Sequence, residues 1–167
     1  MTEYYEALRQ VHRIARAFPK ADWLLGNHDS LPERNLDEIG LPRETLRSHN
    51  DLWGIDWKVH QRFGTLEIDG VLYSHGETGR GGQDAAWNQA KDQFRSVVIG
   101  HYHSNAGAKW WANQECRIFG LSVGCGIDHD KMRFEYGRKI VKKPILGCGV
   151  VLGGKQAIFE PWLLPSR

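Results

Sequence analysis

The chain has 167 residues, with 22 Lys and Arg against 20 Asp and Glu and a formal charge of +2 at pH 7. That length fits one domain of about 100–200 residues, and 41% hydrophobic with 25% charged residues excludes a disordered chain. The near-neutral balance gives no global attraction to nucleic acid or to an anionic membrane.

Taken in chain order, residues 2–18 predict an amphipathic helix. Tyr4, Leu8, Val11, Ala15 and Phe18 recur at three- and four-residue steps, charged residues fill the gaps, and Pro19 ends it. Residues 21–25 (ADWLL) predict a short buried strand that stops at Gly26. The polar stretch 30–50, with Pro32, Gly40 and Pro42, reads as a loop holding a short helix around 43–47 and bordering a pocket. Residues 63–68 and 71–74 predict a hairpin turning at Asp69-Gly70. A glycine-rich loop follows, then a helix over 83–94 and a buried strand over 96–99. Residues 109–112, 115–123 and 145–152 predict an antiparallel layer, with a final strand over 155–159. No repeat or linker interrupts this order, so the reading is one α/β domain.

Nothing reaches the ~18 uninterrupted apolar residues of a membrane helix, and the early acids of MTEYYEALRQ do not fit a secretory signal. Cys116, Cys125 and Cys148 are odd in number and lack CxxC spacing. They make neither a disulfide framework nor a cysteine zinc site, and the expected location is the reducing cytoplasm, with no membrane partner.

Three times a predicted strand ends in a loop that opens with metal-competent side chains: 24–30 (LLGNHDS), 72–77 (LYSHGE) and 97–104 (VVIGHYHS). Loops at strand ends converge on one crevice in an α/β sheet, and glycine there permits sharp turns close to a ligand. In His101-x-His103, one-residue spacing points both rings to the same side of an extended segment. Imidazole nitrogens supplemented by an amide oxygen, without thiolate, favour Mn, Fe or Zn in a hydrolytic role.

Gly26-Asn27-His28-Asp29, His75-Gly76 and Gly100-His101-Tyr102-His103 together resemble the later motifs of the calcineurin-like metallophosphoesterases. The resemblance covers about residues 5–160. It implies a four-layer α/β/β/α sandwich and hydrolysis of a phosphate ester by two divalent ions, Mn first and Fe or Zn next. Asn27, His75 and His101 would ligate one ion and His103 the other. His28 would stabilise the substrate phosphate and protonate the leaving oxygen, with Asp29 orienting its imidazole. Paired ions would clamp the phosphate and activate a bridging water. Substrates of such enzymes include nucleotides and nucleic acids.

That family's pattern opens with D-x-H and G-D-x-x-[DN], and neither stands at the start of this chain, which contains no Gly-Asp pair. The expectation is a domain lacking its first strand–loop–strand unit. Two close cations need anionic ligands to offset their repulsion, and Asn27, His75, His101 and His103 are all neutral. Four readings follow: a phosphoesterase whose opening segment was lost, a split enzyme whose acidic loops come from a partner chain, a non-catalytic remnant acting as a binding module or subunit, and a structural zinc protein.

Other features are weaker. Arg80, in the glycine-rich loop, is either a substrate phosphate contact or a solvated arginine. Trp110-Trp111 could stack bases, although alternation on a strand places one in the core and one at a rim. His12, His49, His60 and His129 have no partner that the sequence names, Asp128-His129-Asp130 has the wrong spacing for D-x-H, and Lys142-Lys143 is too short for a nucleic-acid patch.

Overall fold

The computed structural model describes residues 2–127 and 143–162, so Asp128-His129-Asp130 and Lys142 lie outside the described residues. The architecture is mixed α/β, with helices flanking several β-sheets. The chain divides into two compact units, Met1–Gly64 and Thr65–Arg167.

The first unit opens with α1 (Thr2–Ala17), the helix that the three- and four-residue apolar spacing predicts. The Phe18 amide still bonds the Ile14 carbonyl before Pro19 stops the helix. Strand β1 (Asp22–Leu24) follows, and its successor Leu25 is 1% exposed. The polar stretch after it is more helical than its prolines suggest. It holds α2 (Leu31–Glu38), a 3₁₀ turn (Arg43–Thr45) and α3 (His49–Trp53). Pro32 falls in the first turn of α2, where its missing N–H costs no helical bond, and Glu33 suits the positive end of the helix dipole. Ser48 caps α3 by accepting the Asp51 amide at 3.1 Å, and Gly54 closes it in the left-handed region.

Strand β2 (Lys58–His60) pairs with β1 in parallel, Trp23 opposite Val59 and Leu24 opposite His60. These two strands form their own sheet. Aromatic contacts of Tyr4 with Trp53 and of Trp23 with His49 and Trp57 tie the unit together, along with polar ones. The Tyr4 hydroxyl donates to the Leu52 carbonyl (2.8 Å), His12 Nε2 to the Trp53 carbonyl (2.8 Å), and Trp57 Nε1 to the Phe18 carbonyl (2.9 Å). Among the described residues, Leu25 is the single apolar side chain of this unit that is fully buried.

The second unit is built around a five-stranded sheet ordered β3-β4-β5-β7-β6. Strands β3 (Thr65–Ile68) and β4 (Val71–Ser74) form the expected hairpin, with Asp69 and Gly70 both at positive φ (51° and 74°), as a tight I′-like turn requires. Strands β4, β5 (Val97–Ile99) and β7 (Arg117–Val123) run parallel at the centre, and β6 (Ala106–Ala112) is antiparallel at the edge.

One face of the sheet carries α4 (Ala85–Gln93), whose Ala85, Ala86 and Ala90 pack on Val97, Ile99 and Ile118. The other face is covered by the hairpin of β8 (Gly147–Leu152) and β9 (Gln156–Pro161). Val151, Ala157 and Phe159 there meet Val71, Val98, Phe119 and Leu121. The uninterrupted apolar run of β5 reflects a strand buried on both faces. Each large core side chain contributes roughly 1.5–3 kcal/mol by leaving water.

The layers approach closely at two glycines. A Cβ on Gly120 would lie 2.5 Å from the Ala86 carbonyl carbon, and one on Gly149 would lie 2.6 Å from Val123 Cγ1.

Both tryptophans of β6 are exposed, Trp110 at 41% and Trp111 at 46%, which corrects the expectation of one core and one rim residue. The cause is position. This is the last strand of the sheet, so each face of its outer half is a rim. Trp110 still leans on Phe119, ring centroids 5.0 Å apart, with the Arg117 guanidinium 5.0 Å from its own ring.

Candidate functional site

The sequence-predicted residues fall in both units. In the first, Asn27, His28 and Asp29 occupy the turn between β1 and α2. Asp29 Oδ2 accepts the Gly26 amide at 2.8 Å, and the Ser30 hydroxyl donates to the Gly26 carbonyl at 3.0 Å. Both bonds fold the loop on itself, so Asp29 holds the backbone of its own turn. His28 is exposed, while Asn27 and Asp29 are partly buried.

In the second unit the sheet brings His75 and His101 together. His75 follows β4 and His101 lies just beyond β5, neighbouring parallel strands whose ends are adjacent. His101 Nδ1 stands 3.1 Å from His75 Nε2, and the rings meet edge to face with centroids 5.0 Å apart. The loops around them are fixed from below. Gln89, on α4, donates to the Gly76 carbonyl at 3.1 Å, and Gly76 sits where a Cβ would be 2.7 Å from Ile99 Cβ. The Tyr102 ring packs edge-on against His101, centroids 4.8 Å apart, and its hydroxyl lies where a side chain on Gly81 would stand. Part of the glycine-rich loop therefore makes room for Tyr102.

His101 and His103 do not share one side of an extended segment. His101 has φ +62°, and the Tyr102 amide bonds the Gly100 carbonyl at 2.7 Å across it. This three-residue turn is an uncommon conformation for a residue with a Cβ. It leaves His101 partly buried beside His75 and His103 exposed.

Arg80 is committed within its own unit. Its guanidinium bonds Asp92 through Nε–Oδ2 (3.0 Å) and Nη2–Oδ1 (2.5 Å), and this pairing holds the Asp92 carboxyl below the usual range. No local pattern marks this pair, although Arg80 and Asp92 are only 12 residues apart.

The metal centre implied by the resemblance is not upheld. Among the described residues, no group of three or more His, Cys, Asp or Glu side chains is placed to hold a metal ion. In the His75–His101 contact one ring must donate and the other accept, which spends a nitrogen lone pair that an ion would need. Among the described residues no third His, Cys, Asp or Glu completes the pair, and the ligands expected were all neutral. The two-metal centre expected for Mn, Fe or Zn is therefore not supported among the described residues, and the hydrolytic assignment falls with it. No family model matches the chain, and no curated protein matches it. The resemblance to calcineurin-like metallophosphoesterases is thus corrected to shared short motifs.

The remaining feature of note is apolar surface on the first unit. On α1, Ile14 is 52% exposed and Phe18 63%. A groove of about 640 Å³ runs beside the helix, with apolar lining from Leu8, Ala15 and Ile55 and charged lining from Arg9, Arg16 and Asp56. The sequence contained this signal, since the α1 periodicity marks an apolar stripe, but not whether that stripe would be covered. Among the described residues no helix is long and apolar enough to cross a membrane.

Proposed function

We propose that the chain is a non-catalytic binding subunit whose first unit is completed by another polypeptide. The observation that carries this reading is the imbalance within Met1–Gly64: Leu25 is fully buried, while Ile14 and Phe18 of α1 lie open. Strands β1 and β2 support the same reading. A parallel pair of three-residue strands is a fragment of a sheet, because parallel strands are normally found in larger sheets covered on both faces. A partner that buries the α1 stripe supplies the missing apolar contact.

Hydrogen exchange at low protein concentration tests this. Amides of α1, β1 and β2 are expected to exchange far faster than those of β5 and β7. Equal protection in the isolated chain would overturn the reading, because the first unit would then hold itself together. Added MnCl₂ is expected to leave the thermal midpoint unchanged, since an ion that does not bind the native state does not stabilise it.

A further inference from the structure

We infer that the second unit holds a binding site for a small organic carboxylate at the N-terminal end of α4, whatever covers the first unit.

A cavity of about 260 Å³ opens there, between the first turn of α4, the loop after His103 and strands β6 and β7. Its floor contains a side chain that the rest of the protein does not satisfy. Four polar side chains are buried among the described residues. Ser30 donates to the Gly26 carbonyl, Gln89 donates to the Gly76 carbonyl, and Ser96 accepts the Phe119 amide. Ser122 is 6% exposed and lines the cavity, and its hydroxyl bonds nothing among the described residues. A hydroxyl withdrawn from water is costly without a partner, so this one calls for an acceptor. Strand alternation aims it. Ile118 packs toward α4, and a Cβ on Gly120 would lie 2.5 Å from the Trp87 nitrogen. Ser122 continues that face of β7, so its side chain points toward the start of the helix.

The helix supplies two further donors. Asp84 stands at the N-cap of α4, where a carboxylate ordinarily accepts the amides of the second and third helical residues. Here it makes no such bond and pairs instead with Lys109 of β6. The Ala85 amide bonds the Gly82 carbonyl at 3.3 Å, while the Ala86 and Trp87 amides have no acceptor among the described residues. Lys109 therefore draws the natural cap aside and cancels its charge. Two N–H groups and the positive end of the helix dipole are left on the cavity that Ser122 also lines.

Three donors at fixed positions suit the two oxygens of a carboxylate. A phosphate dianion would bring a second negative charge beside Asp84. The cavity is larger than a bare ion needs, since 260 Å³ equals the share of about nine waters at ~30 Å³ each. Trp87 and Ile145 offer apolar wall for an organic body, and a Cβ on Gly107 would meet nothing within 4 Å. That body is small, because sites for drug-sized ligands measure about 300–1,000 Å³.

Titration of the full chain with sodium benzoate, followed by amide NMR, tests the site. Saturable shifts are expected at Ala86, Trp87 and Ser122, with a Kd of about 0.1–10 mM. Benzamide, which keeps the shape without the charge, is expected to leave these amides unmoved. Ser122→Ala is expected to weaken benzoate about tenfold or more at an unchanged thermal midpoint, because the hydroxyl bonds nothing in the free protein. Lys109→Met is expected to abolish the shifts, since the released Asp84 carboxylate caps the Ala86 and Trp87 amides itself. Equal shifts with benzamide would overturn the anion assignment. Saturable binding of inorganic phosphate without benzoate would overturn the carboxylate class. No saturable shift up to about 50 mM benzoate, or full affinity in Ser122→Ala, would remove the site. A lowered midpoint in Ser122→Ala would show that the hydroxyl is already partnered, and would overturn the inference as well.

Discussion

The two units of this protein solve the same problem with unequal means. In the second, a five-stranded sheet is covered by α4 on one face and by the β8–β9 hairpin on the other, and its central strands are apolar on both sides. In the first, two short strands and three helices are joined by ring contacts of Trp23, Trp53 and Trp57 and by hydrogen bonds from Tyr4, His12 and Trp57 to backbone carbonyls, and Leu25 is the one fully buried apolar side chain among its described residues. Such bonds contribute about 0.5–1.5 kcal/mol each because water competes for the same groups, whereas burial of a large apolar side chain contributes more. Polar contacts can therefore set the geometry of a unit without supplying most of its stability.

The largest test of this contrast is Phe119→Ala. Phe119 is fully buried at the centre of the sheet, and its loss is expected to cost about 3–5 kcal/mol in denaturant unfolding, with faster exchange across β5 and β7. Leu25→Ala is expected to cost about 2 kcal/mol, at the low end for a buried leucine, and to be felt by the β1–β2 amides alone. If Leu25→Ala also loosened β5 and β7, the two units would share one cooperative transition and the contrast would be lost. A smaller effect, of opposite sign, is expected from Phe94→Gly. Phe94 ends α4 at φ +50° and is 88% exposed, so glycine relieves the backbone and is expected to stabilise the second unit by about 0.5–1 kcal/mol in thermal unfolding. The finest probe is thiol alkylation read by peptide mass. Cys116 is exposed and is expected to react first. Burial pushes the Cys125 thiol up, so Cys125 lags, and the gap narrows as rising pH generates its thiolate.

The sequence disclosed elements better than it disclosed company. Period-two and helical spacing located the Asp69-Gly70 hairpin, α4, β5 and β7 because each has a local apolar pattern. It missed α2, since Pro32, Gly40 and Pro42 outweighed the helix-start signal of Pro32 and Glu33 in the first turn. It missed β2 because three residues carry too little pattern to register. The candidate site fared worse for a physical reason. GNHD, HG and GHxH specify residue types, while a metal site depends on where lone pairs converge, and that is set by long-range pairing. His60 shows the difference. Its partner is Asp22, 38 residues away at 2.6 Å across the β1–β2 pair, and no local pattern links them. His101 shows it again, because one positive φ turned an apparently extended His-x-His into two separate environments.

Gly120 and Gly149 carry a consequence for how the sequence can drift. At both positions the smallest possible side chain already collides with a neighbouring layer, so almost any replacement there forces a helix or a hairpin off the sheet. The exposed positions of α1 face no such obstacle and can accept many residues while the second unit stays intact. Variation among descendants of this chain would then concentrate on the surface that meets a partner, and partner choice could change without the scaffold having to be rebuilt.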